Sequence, residues 1–146
     1  MDPKDPIIIS DKPFIQAPTI LIVEDKEPQM NYLHILLKKL KINVIATNNA
    51  SKAIDLANIY EIDCVLLDIH LGREMTGIEI MTTLRKSNKY ANIPIIAITA
   101  YYGYEHKNDF LDAGFDDYIA KPYNFEDLKE ILDNHLYESE KQYKLK

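Results

Sequence analysis

Five short apolar runs alternate with segments of helical periodicity, and this alternation limits the fold more strongly than any other feature of the chain. The segment after the first run, for example, places Met30, Leu33, Leu37 and Leu40 at helical spacing. Apolar strands that alternate with amphipathic helices form right-handed βαβ crossovers, which build a parallel sheet with helices on both faces. The pattern predicts an α/β, doubly wound fold with parallel strands at 19–24, 43–46, 63–68, 93–99 and 115–120.

The length and the local composition predict one folded domain with a short tail at each end. The 146 residues suit a single domain. Residues 1–17 are rich in proline, aspartate and lysine, which is typical of a tail or linker rather than of a strand or helix. Residues 138–146 are mostly charged and are expected to fray. The domain itself is therefore expected over residues 18–137.

The composition also narrows the choice of partner and compartment. A net charge of −6 argues against broad electrostatic binding to nucleic acid, which requires basic surfaces. The single cysteine, Cys64, excludes an intramolecular disulfide, and its apolar neighbours favour burial over metal binding. No segment reaches the ~18 consecutive apolar residues of a membrane span. We therefore expect a cytoplasmic chain that makes no contact with the membrane.

Polar side chains follow four of the predicted strands at the points where those strands end. Glu24 and Asp25 follow the first strand, Asp68 the third, Thr99 the fourth and Lys121 the fifth. Parallel strands bring their carboxyl ends to one edge of the sheet, where ligands bind in open α/β folds. Carboxylates that are packed together repel one another unless a cation or a proton relieves them. The set therefore predicts a site for Mg²⁺ and a phosphoryl group.

Each of these residues has a chemical role in such a site and a simpler structural alternative. Asp25 and Asp68 are hard oxygen ligands for Mg²⁺, whereas the longer side chain of Glu24 would reach the metal through water. One carboxylate would attack phosphorus to form an aspartyl phosphate, with Lys121 supplying positive charge and Thr99 a hydrogen bond. Taken singly, aspartate and threonine at strand ends often cap the next segment, and a lysine there is often solvated. The complete set in this order favours the functional interpretation.

The same residues lie in motifs that resemble a known family. The segments ILIVED, VLLDIHLG, IPIIAITA and AGFDDYIAKPY are similar to the receiver domain of bacterial two-component response regulators. The closest likeness is to the receivers of hybrid sensor histidine kinases, and it covers residues 18–136. The resemblance implies a flavodoxin-like (βα)5 fold with a five-stranded parallel sheet of strand order 2-1-3-4-5.

The resemblance assigns a role to each acidic residue at the predicted edge. It makes Asp68 the phosphoacceptor, which takes a phosphoryl group from a phosphohistidine. Glu24 and Asp25 become the acid pocket. The implied Mg²⁺ ligands are Glu24 through water, Asp25, Asp68 and the backbone carbonyl of His70. An exposed histidine in a loop is seldom a phosphohistidine or a metal ligand, so the carbonyl is taken as the functional part of His70.

The remaining implied roles concern phosphoryl contacts and switching. Thr99 and Lys121 contact the phosphoryl group, and Tyr118 is the mobile aromatic that turns inward as Thr99 moves. A cis peptide bond is expected at Lys121–Pro122, where proline makes that isomer accessible. A cluster of tyrosines favours an output surface over ordinary partial burial, because aromatic residues are enriched at interfaces; its members are Tyr101, Tyr102, Tyr104, Tyr118 and Tyr123.

The chain also departs from the common form of the family. Glu24 replaces the commoner aspartate, and the loop HLGREMTG after Asp68 lacks the usual Met-Pro and is one residue longer. His70 and Tyr101 occupy positions that border the path of the hydrolytic water in the family. We hypothesise that the bulk of Tyr101 slows autodephosphorylation.

Taken together, these features predict a signalling phosphoacceptor rather than a metabolic enzyme. Such a protein assists its own phosphoryl transfer and dephosphorylation. Its partner would be a histidine kinase or a histidine phosphotransfer domain. A homodimer through the face formed by the fourth helix, the fifth strand and the fifth helix is a further expectation.

Three other functions are compatible with an α/β fold. The first is a pseudo-receiver that acts only as an interaction module, which the intact set of Asp25, Asp68, Thr99 and Lys121 argues against. The second is a phosphatase with an aspartyl nucleophile, but His70 stands where an Asp-x-Asp motif has its second aspartate. The third is a flavin-binding protein, for which the first strand lacks a following loop rich in glycine or hydroxyl residues.

Overall fold

The computed structural model describes residues 7–9, 14–71, 75–100 and 104–137, with the backbone alone at 7–9 and 104–107. Its strands are β1 (Ile7–Ile9), β2 (Thr19–Val23), β3 (Asn43–Thr47), β4 (Cys64–Asp68), β5 (Ile95–Thr99) and β6 (Asp117–Ala120). Its helices are α1 (Glu27–Lys39), α2 (Ala50–Ile59), α3 (Gly77–Arg85), α4 (Tyr104–Ala113) and α5 (Phe125–Leu136), with a 3-10 turn at Asn88–Tyr90.

The strands form one sheet in the order β1-β3-β2-β4-β5-β6. The five strands β3-β2-β4-β5-β6 are parallel to one another. They reproduce the predicted order 2-1-3-4-5, so the fold prediction is confirmed. Leu21 pairs with Ile45 on one side and with Val65 on the other, which places β2 in the interior of the sheet.

Strand β1 is an addition that the sequence did not lead us to expect. Residues Ile7–Ile9 pair antiparallel with β3, so β3 is not the edge strand that the implied order 2-1-3-4-5 makes it. A further link to the same strand is made at Asn43. Its side chain accepts a hydrogen bond from the Phe14 N–H at 2.6 Å and donates one to the Phe14 carbonyl at 3.0 Å. Part of the segment predicted as a tail or linker is thus bound to the sheet through backbone groups.

The helices cover both faces of the sheet, and each face has its own apolar core. On one face α1 and α5 bury Leu33, Leu37 and Leu128 against β-strand residues such as Ile22. On the other face α2 and α3 bury residues such as Ile80. Strands β2, β4 and β5 are buried along nearly their whole length, as expected of central parallel strands.

Local capping sets where several helices begin and end. The Asn49 side chain accepts the Lys52 N–H at the start of α2, and Asn124 forms a capping box with Asp127 at the start of α5. Helix α4 ends before Gly114, whose φ of 124° is readily adopted only by glycine. Among the described helices, none is both long enough and apolar enough to cross a membrane.

Candidate active site at the carboxyl edge of the sheet

The predicted strand ends do meet at one edge of the sheet. Glu24 directly follows β2, and Asp68 and Thr99 are the last residues of β4 and β5. These three residues are 2%, 4% and 0% exposed. The Lys121 N–H donates to the Thr99 carbonyl at 2.7 Å, which ties the end of β6 to the end of β5. Polar side chains are seldom buried this deeply unless they are paired or bind a ligand.

Lys121 is the centre of this site. Its ammonium lies 3.1 Å from Glu24 Oε2 and 3.2 Å from Asp68 Oδ2. It also donates to Oε1 of Gln29, a residue in the first turns of α1. The peptide bond between Lys121 and Pro122 is cis, as the resemblance implied. One cation is therefore shared by two buried carboxylates and a neutral amide.

The loop after β4 provides a hydrogen-bond donor to the second carboxylate oxygen of Asp68. The backbone N–H of His70 donates to Asp68 Oδ1 at 2.9 Å, so both carboxylate oxygens of Asp68 have a donor. The first residue of α3, Gly77, packs against the backbone of this loop. A Cβ at Gly77 would lie 2.4 Å from the Asp68 carbonyl oxygen, so the close approach requires glycine.

Burial and like charge perturb the acid pocket. Burial, and then the neighbouring Asp68 carboxyl, raise the pKa of Glu24 from 4.5 to about 7. The Lys121 ammonium and the Lys26 backbone N–H act in the opposite direction but do not cancel these effects. The pocket therefore holds excess negative charge that a proton or a metal cation would relieve.

The donor chemistry fits Mg²⁺, although the carboxylates do not form a ready-made cage. Among the described residues, no group of three or more His, Cys, Asp or Glu side chains could hold a metal ion. Asp25 is half-buried at the start of the loop after β2. Mg²⁺ commonly takes one or two carboxylates and completes its shell with water and phosphate oxygens, so two close carboxylates suffice.

The predicted switch residues are only partly covered by the described residues. Thr99 is buried at the end of β5, and the half-buried Tyr118 lies on β6, with its ring stacked on Phe110 of α4 at 5.7 Å between centroids. Tyr101 and Tyr102 lie outside the described residues, and so does the side chain of Tyr104. The hypothesis that Tyr101 slows autodephosphorylation remains a prediction.

A cleft of about 560 Å³ opens beside Asp68 and Lys121. Its other lining residues include Lys26, Gln29, Tyr32, His70, Pro122 and Tyr123. Sequence reasoning missed Gln29 and Tyr32, because both lie in the helical pattern of α1, where a polar residue normally predicts a solvated face. The signal that would have found them is proximity to Asp25, within the first two turns of the helix that follows β2.

Comparison with protein families and comparison with curated proteins indicate the same family. The family model described as "response regulator receiver domain" matches residues 20–133. The cell cycle response regulator CtrA of Brucella ovis is 34% identical over 109 residues, which make up 75% of this chain and 46% of CtrA. The chain thus spans about half the length of the curated relatives that it matches.

Solved structures with the same fold include receivers from several organisms. The receiver domain of a sensor histidine kinase from Pseudomonas aeruginosa PAO1 has 28% identity and a TM-score of 0.74, over 82% of this chain and 98% of its own. That structure is described with a magnesium ion coordinated in the active site cleft. A CheY-like receiver domain protein from Methanospirillum hungatei has 28% identity and a TM-score of 0.76, over 87% and 99% of the two chains.

Proposed function

This chain belongs to the response regulator receiver domain family of two-component systems, and we propose that Asp68 is its phosphoacceptor. The observation that carries the proposal is the Lys121 ammonium, which lies between the buried carboxylates of Asp68 and Glu24. Asp68 also borders the open cleft, so a phosphodonor can reach it. A buried carboxylate beside a fixed cation and an open cleft is the arrangement that phosphoryl transfer requires.

In the proposed reaction, a carboxylate oxygen of Asp68 attacks the phosphorus of a phosphohistidine. The new O–P bond forms as the P–N bond breaks, and the electron pair of that bond returns to the imidazole nitrogen. Lys121 balances the negative charge that spreads over the phosphoryl oxygens, and Thr99 donates its hydroxyl hydrogen bond to one of them. Thr99 is fully buried, whereas the Lys121 side chain is about 20% exposed toward the cleft by which the phosphodonor would enter.

Receiver domains generally bind Mg²⁺, and we propose that this chain does so with the residues predicted from its sequence. Asp25, Asp68 and the backbone carbonyl of His70 would hold the ion directly, and Glu24 would hold it through water. When bound, the ion neutralises charge on the phosphoryl oxygens. The raised pKa of Glu24 supports this assignment, because burial and then the neighbouring Asp68 carboxyl disfavour its negative charge, which a bound cation would stabilise.

Receiver domains interact with histidine kinases or phosphotransfer proteins, and the proposal extends that role to this chain. We propose that the protein is a signalling phosphoacceptor and not a metabolic enzyme. Its origin in a hybrid kinase is supported by likeness to two receiver domains of histidine kinases. The cytoplasmic location and a homodimer through α4, β6 and α5 stay predictions.

Phosphorylation would then act as a switch between two conformations. Thr99 would move toward the phosphoryl group, and Tyr118 would turn inward to fill the space that Thr99 leaves. The stacking of the Tyr118 ring on Phe110 supports this part of the proposal, because the contact links β6 to α4. Rotation of Tyr118 would therefore alter the surface of α4. Partners that bind this surface would sense the change.

The proposal is tested by intact-mass measurement after incubation with Mg²⁺ and acetyl phosphate. We expect one phosphoryl group on the native chain and none on an Asp68→Asn variant. Samples quenched at early times would exclude rapid hydrolysis as a cause of failure. If Mg²⁺ binds and the native chain still gains no mass, the protein is a pseudo-receiver that acts as an interaction module.

A further inference from the structure

We propose that Gln29 is a positioning residue that holds Lys121 for phosphoryl transfer, an inference that rests on the proposed function of Asp68. A lysine ammonium has three N–H donors. Within the described part of the chain, three acceptors surround that of Lys121, and they come from three separate elements: Glu24 after β2, Asp68 at the end of β4, and Gln29 on α1. The ammonium is therefore oriented by three contacts rather than attracted by charge alone.

The acceptor on Gln29 differs from the other two because it is neutral. Glu24 and Asp68 already place two carboxyl groups beside one cation, at 3.1 and 3.2 Å from the Lys121 ammonium. A third carboxylate at position 29 would add repulsion toward an incoming phosphoryl group. The amide oxygen of Gln29 orients the ammonium without that cost, and Gln29 itself lines the cleft by which a phosphodonor would enter.

A second contact fixes α1 against the segment that carries Lys121. The hydroxyl of Tyr32, three residues after Gln29 and therefore on the same face of the helix, donates to the Tyr123 carbonyl at 2.9 Å. The two tyrosine rings lie 5.6 Å apart. Helix α1 is itself anchored by the buried Met30 and Leu33. The distance between Gln29 and Lys121 is thus set by the packing of the fold.

This arrangement gives Gln29 a specific role during transfer. When Asp68 forms a bond to phosphorus, one N–H of Lys121 must turn from Asp68 to a phosphoryl oxygen. The contacts to Glu24 and Gln29 keep the other two N–H groups in place while this happens. Without Gln29 one of these two contacts is lost, so the ammonium on its flexible stem is held less firmly and the productive orientation is less populated.

The experiment compares Gln29→Met, which is close in shape but lacks the amide, with Asn31→Met at an exposed position of the same helix. Two quantities are measured at saturating Mg²⁺: the rate of Asp68 phosphorylation by acetyl phosphate, and the nitrogen-15 signal of the Lys121 ammonium. That signal is identified by its loss in Lys121→Met. Urea unfolding establishes that each variant is folded, and Gln29→Ala replaces Gln29→Met should the latter fail to fold.

We expect Gln29→Met to lower the phosphorylation rate about tenfold, as for loss of one hydrogen bond to a charged group. Its Lys121 signal should shift toward those of exposed lysines, and Asn31→Met should change neither quantity. An unchanged rate overturns the inference. So does a lower rate with an unmoved signal, or a native signal already like those of exposed lysines. Failure of the native chain to accept a phosphoryl group would instead refute the proposed function.

Discussion

The two ends of the same parallel sheet both carry aspartates, and they use them differently. At the amino end, Asp63 accepts the backbone N–H of Thr19 at 2.8 Å, and Asp116 accepts that of Ile95 at 2.8 Å. These carboxylates join neighbouring strands through donors that belong to the backbone. At the carboxyl end, Asp68 shares the side-chain ammonium of Lys121 with a second acid.

Arg85 strengthens the contrast at the amino end. Its guanidinium pairs with Asp116 at 2.6 Å and donates to the carbonyls of Tyr90, Ile93 and Gly114 at 2.8, 2.7 and 3.2 Å. A planar guanidinium with several donors is well suited to bind converging carbonyls. At the amino end Asp116 has its own base and Asp63 a backbone donor, whereas at the site two buried acids share one lysine. The difference teaches that two acids held on one cation, rather than the presence of an aspartate, mark the end of the sheet that is kept for a ligand.

The largest expected effect of breaking this contrast is at Lys121. Lys121→Met should lower the rate of phosphorylation by acetyl phosphate about a hundredfold or more, because an oriented charge toward the phosphoryl oxygens is lost. The matched control is Lys129→Met, which removes an exposed lysine whose contact is Asp133 on the same helix. If the two variants lose rate equally, the special role of Lys121 is refuted.

The corresponding change at the amino end should affect stability instead of chemistry. Arg85→Met removes the pair with Asp116 and leaves several carbonyls with one donor fewer. We expect a loss of about 3 kcal/mol in the free energy of unfolding, measured in urea. The phosphorylation rate per folded molecule should stay near the native value. A large loss of rate without a loss of stability would mean that the two ends are coupled.

The pH dependence of the free energy of unfolding tests the acid pocket at the carboxyl end of the sheet through Glu24. Its pKa of about 7 in the folded chain exceeds its ordinary value of 4.5, so the folded state binds the proton more tightly. This contribution to stability is complete below pH 4.5 and is lost as the pH rises through about 7. In metal-free buffer the loss should be on the order of 2 kcal/mol.

The measurement is the free energy of unfolding of the native chain minus that of Glu24→Gln, from pH 5 to about 8.5, since the variant cannot titrate at this position. The difference should fall with rising pH. Parallel profiles for the two proteins would show that Glu24 keeps an ordinary pKa.

The smallest effect is expected from the exposed aspartate at the amino end. Asp63→Ala removes the hydrogen bond to the Thr19 N–H and should lower the unfolding free energy by about 1 kcal/mol. Asp55→Ala, on the exposed face of α2, should change it by less than about 0.5 kcal/mol. Equal values for both variants would indicate that the Asp63 contact contributes nothing to the joining of β2 and β4.

The sequence determined that five parallel strands alternate with helices and which residues stand at their carboxyl ends, while the order of the strands was implied by the resemblance to the receiver family. The alternation of apolar and helical segments leaves few arrangements for a sheet, and parallel strands necessarily bring those ends together. Glu24, Asp68, Thr99 and Lys121 could therefore be placed at one edge without coordinates. The caps Asn49 and Gly114 were also predictable, because capping depends on local backbone geometry.

Tertiary structure decided the features that depend on how distant elements meet. Strand β1 pairs with β3 through backbone groups, and a run of three isoleucines does not specify which strand it will join. Gln29 and Tyr32 look like surface residues of an amphipathic helix, and only the packing of α1 against the segment after β6 brings them to Lys121 and Tyr123. Contacts between residues about 90 positions apart depend on the angle and height at which a helix docks, and the chain fixes these only when its cores are packed.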